Sequence, residues 1–446
     1  MTVFFLGFFS VKDTDFGWHY QCGNQFLTTG KLCLTNEFSY FLPYYKAYYT
    51  GHLYDIILAF AYNHGGLLTV SALGGVVFVL SALFFVFLIQ AGLPIKIGAF
   101  LSAFFLSYSI FDIGLRPQII SYLFFLVFLS ILSQKNEKLF FLIPVLMVIW
   151  VNMHIGFFVG LFILMFYLFE KKTISSKKYF FIVLLSFAAT LLNPFGTYVY
   201  KEIVNHITSP LNTMIAEWLE PPLPHIILIA GLSIIGLILL IRKKSISLFK
   251  IFILVFFSIL SLKARRNLPF FYTSFAFVFF DGLKINTEKF SSLFVSLLIA
   301  LFIIVGVIQV PQTIHHSTSW EEYCNKTITV AYPCEAVRKF PQLSGNVFAL
   351  YEWGGFLIWE KPDIKIFADG RMPAWKDEKG KSPYQVYLDI IQTKNGWNEK
   401  LNSLKTDYIF ITNKTFLDLL LKKGAEKYRW REVYRDNLAV IYQNAI

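Results

Sequence analysis

The chain has 446 residues, is 56% hydrophobic and 15% charged, contains 50 Phe and has a mean hydropathy of +0.56, a balance that excludes an ordinary soluble globule and marks a membrane protein. Lys and Arg total 40 against 28 Asp and Glu, a formal charge of +12. Most of the excess in the apolar part sits in short connections between apolar runs, where it orients helices, so the basic balance does not call for a nucleic-acid partner.

The opening MTVFFLGFFSV is too short to cross a bilayer alone and lacks the basic start and small-residue cleavage site of a signal peptide. The expectation is either a missing first half-helix or a misassigned start codon. A polar stretch, KDTDFGWHYQCGNQF at 12–26, opens a first extracytoplasmic loop that spans 12–65. Apolar runs follow at 66–90, 97–111, 117–133, 139–151, 155–169, 179–192, 223–241, 251–262, 267–280 and 290–310. A span needs ~20 such residues, so the shorter runs must extend into flanking polar positions, for about ten or eleven transmembrane helices.

Alternate connections separate by charge. Lys96, Lys135, Lys138, Lys171, Lys172, Lys177, Lys178, Arg242, Lys243, Lys244, Lys250, Lys284 and Lys289 fall on one side, which the positive-inside rule makes cytoplasmic. The 12–65 loop, FDIGLRPQ, NMH, the 193–222 segment, KARRN and everything after about 311 then face outward, with Lys263, Arg265 and Arg266 breaking the rule locally. Hydropathy falls at Val310 and Pro311, which predicts a transmembrane domain over 1–310 and a small extracytoplasmic α/β domain over 311–446. In the latter, strand-like runs at 346–351, 363–368, 407–412 and 438–442 flank a helix in TFLDLLLKKG whose end carries lysines and Gly424. Cys22, Cys33, Cys324 and Cys334 all lie on the outward side. Their spacing allows two local disulfides in an oxidising compartment, and four free or buried thiols are the alternative. No zinc-type spacing is present.

No Asp, Glu, Lys, Arg or His lies well inside an apolar run, and such a group is the usual mark of an ion or proton pathway. The acids, bases and arginines collect at outward helix ends, the layout of an active site at the membrane surface. DTDFGWHYQCG resembles the Asp-x-Asp-x-Trp-Trp-His-x-x-x-Gly pattern of bacterial multi-pass proteins in the GT-C glycosyltransferase superfamily. EFSYFLPY, LRPQIISYLFF, WVNMHIGFFVG, NPFGTYVY, EWLEPP, RRNLPFF, YEWGGFLIW and IFADGR resemble the same group in the same order, over nearly the whole chain. The resemblance implies a multi-pass enzyme of the inner (plasma) membrane that takes a sugar from a polyprenyl-phosphate donor. It would pass that sugar to an acceptor hydroxyl of a lipid, glycan or protein on the outer face. A lipid-linked glycan flippase or transporter, or a non-catalytic membrane scaffold, is the alternative.

Inverting transfer from such a donor needs a base for the acceptor proton and cations for the departing phosphate. Asp13 and Asp15, two apart, would share one side of an extended segment. Asp15, nearer the aromatic pair, is the expected base and Asp13 its partner or alternate; together they could hold Mg2+ or Mn2+. Trp18 is a sugar-stacking platform or an interfacial belt anchor, and His19 a substrate contact or a hydrogen-bonded loop residue. Arg116, before Pro117 at a helix start where amides favour anions, suits a lipid phosphate or snorkels toward headgroups. Arg265 and Arg266, on the side that the charge rule disfavours, are assigned to phosphate. Asn152 and His154 contact substrate, or Asn152 caps a helix. Glu217 is a second candidate acid, in a segment long enough to lie along the surface as a lid. Asp369 and Arg371 bind acceptor or close a structural turn through a salt bridge.

Overall fold

The structure, a computed structural model, describes residues 2–134, 136–170, 176–209, 214–242, 247–280, 290–325 and 330–445. Lys135, Lys171, Lys172, Lys243, Lys244, Lys284 and Lys289 of the charge count lie outside the described residues. Two compact units form: one of Met1–Val11, Leu67–Val199 and Asn212–Ile314, the other of Lys12–Gly66, Tyr200–Leu211 and His315–Ile446.

The first unit is helical, and every apolar run of the sequence lies in it. After α1 (Thr2–Leu6) and α2 (Phe16–Thr29), the latter in the second unit, the run 66–90 continues a longer helix, α3 (His52–Leu88). That helix breaks at Gly65 and Gly66, where Gly66 has φ +63° and ψ −154°, a conformation open to glycine and closed to residues with a Cβ. The remaining runs map onto α4 (Leu93–Leu106) with α5 (Tyr108–Phe111), α6 (Pro117–Ser133), α7 (Ile143–Met153), α8 (Phe157–Tyr167) and α9 (Ser176–Ala189). Beyond the polar helix α10 (Tyr198–Thr208) come α11 (Leu223–Arg242), α12 (Leu248–Lys263), α13 (Leu268–Phe280) and α14 (Phe290–Thr318). Among the described residues two segments, His52–Leu88 and Ala216–Arg242, are long and apolar enough to cross a membrane by themselves.

Polarity in this unit is turned inside out. Phe87, Phe180, Leu192 and Ile227 are more than half exposed, whereas Ser81, Ser186, Thr273 and Ser274 are fully buried. Three of these hydroxyls bond within their own helices, Ser81 Oγ donating to the Val77 carbonyl at 2.9 Å, Ser186 Oγ to that of Ile182 at 2.7 Å and Ser274 Oγ to that of Phe270 at 2.7 Å, while Thr273 Oγ1 pairs with the Tyr122 hydroxyl of α6 at 2.8 Å. That is the arrangement for helices whose surroundings are as apolar as their side chains. The opening segment is tied to α14, where Gln309 Nε2 donates to the carbonyls of Phe5 and Phe8, each at 3.1 Å, and Thr313 Oγ1 to that of Phe8 at 2.9 Å.

The second unit is built on a five-stranded sheet of order β2-β1-β3-β5-β4. β1 (Gly345–Ala349) lies parallel to β2 (Ile364–Ile366) and to β3 (Tyr408–Thr412), while β5 (Ala439–Asn444) runs antiparallel to β3 and to β4 (Trp430–Arg435). β3 is buried at four of its five positions, as its continuous apolar run demands of a central strand. Helices α15 (Trp320–Asn325), α16 (Cys334–Lys339), α17 (Gly354–Glu360), α18 (Pro383–Ile391), α19 (Trp397–Ser403) and α20 (Phe416–Tyr428) accompany it. Phe348, Phe367, Trp375, Ile409, Leu417 and Tyr442 share one core. β4 is absent from the expected strands because WREVYR carries charges rather than alternating apolar residues, the composition of an edge strand.

The stretch 12–65 is no plain loop: it holds α2 and the first turns of α3, and Ser39 bridges Ile366 of β2. The cysteines resolve into two disulfides, Cys22–Cys33 and Cys324–Cys334.

Candidate functional site

In the second unit the parallel neighbours β1 and β2 end at Ala349 and Ile366, and the loops beyond their carboxyl ends carry YEWGG and FADGR. The carboxyl ends of parallel strands are where such sheets gather ligand groups. Asp369, fully buried, accepts from the Arg371 amide at 3.0 Å, from its Nε at 2.8 Å and from its Nη2 at 2.6 Å. The same Nη2 donates to Asn36 Oδ1 at 3.1 Å, and the guanidinium faces the rings of Trp18, Phe38 and Trp375 at 5.7, 5.2 and 5.3 Å. Asp369 and Arg371 close a turn through a bidentate ion pair.

Asp13 and Asp15 do not lie along an extended segment. Asp13 Oδ1 accepts the Asp15 amide at 3.3 Å and the Asp13 carbonyl accepts the Phe16 amide at 3.2 Å, so a turn closed by the Asp13 side chain leads straight into α2. Asp13 is buried and Asp15 half-buried at the N-cap position. The glycines of both strand loops are there for close approach. A Cβ on Gly370 would sit 1.8 Å from Asp15 Oδ1, one on Gly355 2.0 Å from the Thr14 carbonyl oxygen, and one on Gly17 1.8 Å from the Gly355 carbonyl oxygen. Backbone thus meets backbone around the Asp15 carboxylate. Burial first, and then the charges of Asp15 and Asp369, hold the Tyr351 phenol well above its usual pKa; burial, Asp55 and Asp15 do the same for Tyr49. Burial followed by Asp13 and Asp15 likewise raises Tyr332. These phenols lie within electrostatic reach of the acids.

One turn into α2, His19 Nδ1 lies 2.6 Å from Asp55 Oδ1, and the Tyr49 hydroxyl donates to the same oxygen at 3.1 Å. His19 is a buried helix residue with an acidic partner, neither a loop residue nor solvent-facing. Trp18 is 4% exposed, stacked on His19 at 3.6 Å, and its Nε1 is buried with no hydrogen-bond partner among the described residues. This corrects the belt reading, since a belt anchor presents its ring to the interface. Sequence reasoning missed Asn36, Tyr49, Asp55, Tyr332 and Tyr351. Of these, Asp55 gave a signal: it is a lone acid at the start of an apolar helix.

The first unit holds a separate charged cluster. Arg116, extended as the residue before Pro117 must be, places Nη1 2.6 Å from Glu217 Oε2, and Arg266 Nη1 lies 3.1 Å from Glu217 Oε1. The Arg266 guanidinium also lies 4.5 Å from the Trp218 ring. The Arg265 amide donates to the Leu219 carbonyl at 2.9 Å, joining the two turns, while its side chain makes no ion pair among the described residues. Glu217 is the shared counter-ion of two arginines. His154 Nδ1 lies 2.6 Å from Ser121 Oγ, which also accepts Trp150 Nε1 at 2.8 Å, and His154 is within electrostatic reach of Glu217. Asn152, inside α7 and not at its N-cap, donates to the carbonyls of Val148 and Leu192, each at 2.8 Å. Among the described residues no group of three or more His, Cys, Asp or Glu is placed to hold a metal ion.

No protein-family model and no curated protein matches the chain. Solved structures do. The oligosaccharyltransferase AglB of Archaeoglobus fulgidus, solved with an inhibitory peptide and a dolichol-phosphate, superposes with a TM-score of 0.58 at 13% identity, over 93% of this chain and 66% of the archaeal one. The Archaeoglobus fulgidus enzyme tethered to an acceptor peptide with an NVT sequon gives 0.55 at 13% identity, over 98% and 70%. The form with Zn and sulfate gives 0.56 at 14% identity over the same shares. The chain spans about two thirds of the archaeal enzyme's length. It shares the fold of these structures.

Proposed function

We propose that the chain is an integral-membrane glycosyltransferase of the GT-C type, moving a sugar from a polyprenyl-phosphate donor to an acceptor hydroxyl on the outer face. The observation that carries the reading is the seat of Asp15: its carboxylate lies against Gly370, beside loops from the carboxyl ends of two parallel strands. A solvated turn needs no such contact. The fold shared with oligosaccharyltransferases supports the reaction class.

In this reading Asp15 takes the proton of the acceptor hydroxyl as the oxygen bonds to the anomeric carbon, and the bond to phosphate breaks with its electron pair leaving on the phosphate, so the centre inverts. Asp13 positions Asp15 through its amide and is the alternate base. His19, Trp18, Asp369 and Arg371 shape the acceptor side, Arg371 by orienting Trp18. The donor phosphate is assigned to the helical unit, where Arg116 and Arg266 share one carboxylate and so keep a net positive charge, with Arg265, Asn152 and His154 beside them in the assignment. If the reaction uses Mg2+ or Mn2+, Asp13 and Asp15 are the residues that would hold it, as one or two carboxylates completed by substrate oxygens and water. Such an ion would offset the charge growing on the phosphate.

The two disulfides and the lysine asymmetry support an inner-membrane protein with 1–310 as a transmembrane domain of about ten helices and 311–446 outside. The test is a deletion strain that has lost an envelope glycan. The wild-type gene should restore it and the Asp13→Asn, Asp15→Asn double variant should not; full restoration by the double variant would end the catalytic reading in favour of transport or scaffolding.

A further inference from the structure

The arginines assigned to the donor phosphate do not stand alone: Glu217 lies between them, one carboxylate oxygen on each. The turn that carries it is tied down. Glu217 belongs to a short helical turn, Ala216–Trp218; the Leu219 carbonyl that follows accepts the Arg265 amide at 2.9 Å, and the Trp218 ring lies 4.5 Å from the Arg266 guanidinium. A guanidinium has five N–H donors, and Glu217 takes one Nη1 of each arginine, so a phosphate can bind the same pair without displacing the carboxylate. The side chains of Arg116, Glu217 and Arg266 are 14, 19 and 16% exposed, open enough for a ligand to reach and closed enough that charge there is weakly screened.

The charge of the cluster can be counted. Two guanidiniums and one carboxylate leave one positive charge. His154 adds none: its Nδ1 accepts the Gly156 amide at 3.2 Å, and an amide can only donate, so that nitrogen carries no proton and the ring is neutral. Ser121 Oγ, which accepts from Trp150 Nε1, donates to the same nitrogen at 2.6 Å. Arg265 makes no ion pair with Glu217. A phosphodiester, the linkage of a polyprenyl-phosphate sugar, carries one negative charge and brings the cluster to neutrality. A diphosphate diester carries two and leaves an uncompensated negative charge beside Glu217, where like charges repel strongly.

We propose that Glu217 determines the donor's linkage, admitting a monophosphate and rejecting a diphosphate by charge; the inference rests on the assignment of the donor phosphate to Arg116 and Arg266. The test uses the full chain in detergent with EDTA and two sugarless probes, farnesyl methyl phosphate with one charge and farnesyl methyl diphosphate with two, measured by titration calorimetry. Wild type should bind the monophosphate at least roughly tenfold more tightly. Glu217→Gln should shift that ratio toward the diphosphate by roughly tenfold or more, and Glu217→Asp, which keeps the charge, should keep the wild-type order. Each ratio is taken on one preparation, so any loss of folded protein in a variant cancels. Equal binding of the two probes by wild type, a ratio that Glu217→Gln leaves unchanged, or the same shift in Glu217→Asp would overturn the inference while leaving the phosphate assignment in place. Failure of both probes to bind wild type would remove the inference and that assignment together.

Discussion

The two charged clusters of this chain are built by opposite means. Around Asp15 the second unit brings main chain against main chain, with Gly17, Gly355 and Gly370 leaving no room for a single added carbon. Around Glu217 the first unit relies on long side chains, two guanidiniums reaching one carboxylate and one of them resting on Trp218. The first construction seats a short acid where neighbouring glycines leave no space for a Cβ. The second fixes charge rather than position, and long arginine side chains can follow a ligand that moves. In the proposed reaction those would be the different requirements of a base, which must meet one proton, and of a phosphate clamp, which must hold a diffuse charge.

The difference can be broken most severely at Gly370. In Gly370→Ala the new Cβ would displace the Asp15 carboxylate, and sugar transfer by purified protein should fall by roughly 10²-fold while the thermal midpoint moves little. Transfer that persists would show that close backbone packing does not position the acid. Next comes Glu217→Gln, which leaves two mostly buried guanidiniums without their anion and should destabilise the protein by about 3 kcal/mol in thermal unfolding.

The smallest effect is expected at Glu360, at the end of α17, where burial lifts the carboxyl from its ordinary 4.5 to about 7. A raised folded-state pKa means that the folded form binds the proton more tightly, so its stabilising contribution is full below 4.5 and is lost as pH rises through 7. Glu360→Gln should match the wild type at low pH, exceed its stability above 7, and flatten the slope between; parallel curves would show that Glu360 does not titrate in this window.

Much of the fold was legible because apolar periodicity is a local signal. All ten apolar runs lie in helices, and β1, β2, β3 and β5 fall where their β-branched and aromatic residues predict them. The helix expected to stop at Gly424 does lose helical geometry there, at φ −149°, and resumes for one more turn. What stayed hidden depends on partners distant in the chain. Arg371 meets Asn36 across 335 residues and His19 meets Asp55 across 36, and no spacing rule links either pair. The glycines of WGG and DGR looked like turn residues, and only the approach of Thr14 and Asp15 gives them a reason. Glu217 read as a candidate acid because its two arginines lie 101 residues before it and 49 after it, beyond the reach of helix-face pairing.

The most direct measurement is a single-turnover assay on purified protein with a fluorescent polyprenyl-phosphate sugar, comparing wild type with Asp15→Asn. Loss of transfer by roughly 10²-fold or more, with donor binding and thermal midpoint unchanged, is the expected result. Transfer at the wild-type rate by Asp15→Asn would contradict a catalytic role for the acid and leave its glycine seat without a chemical purpose.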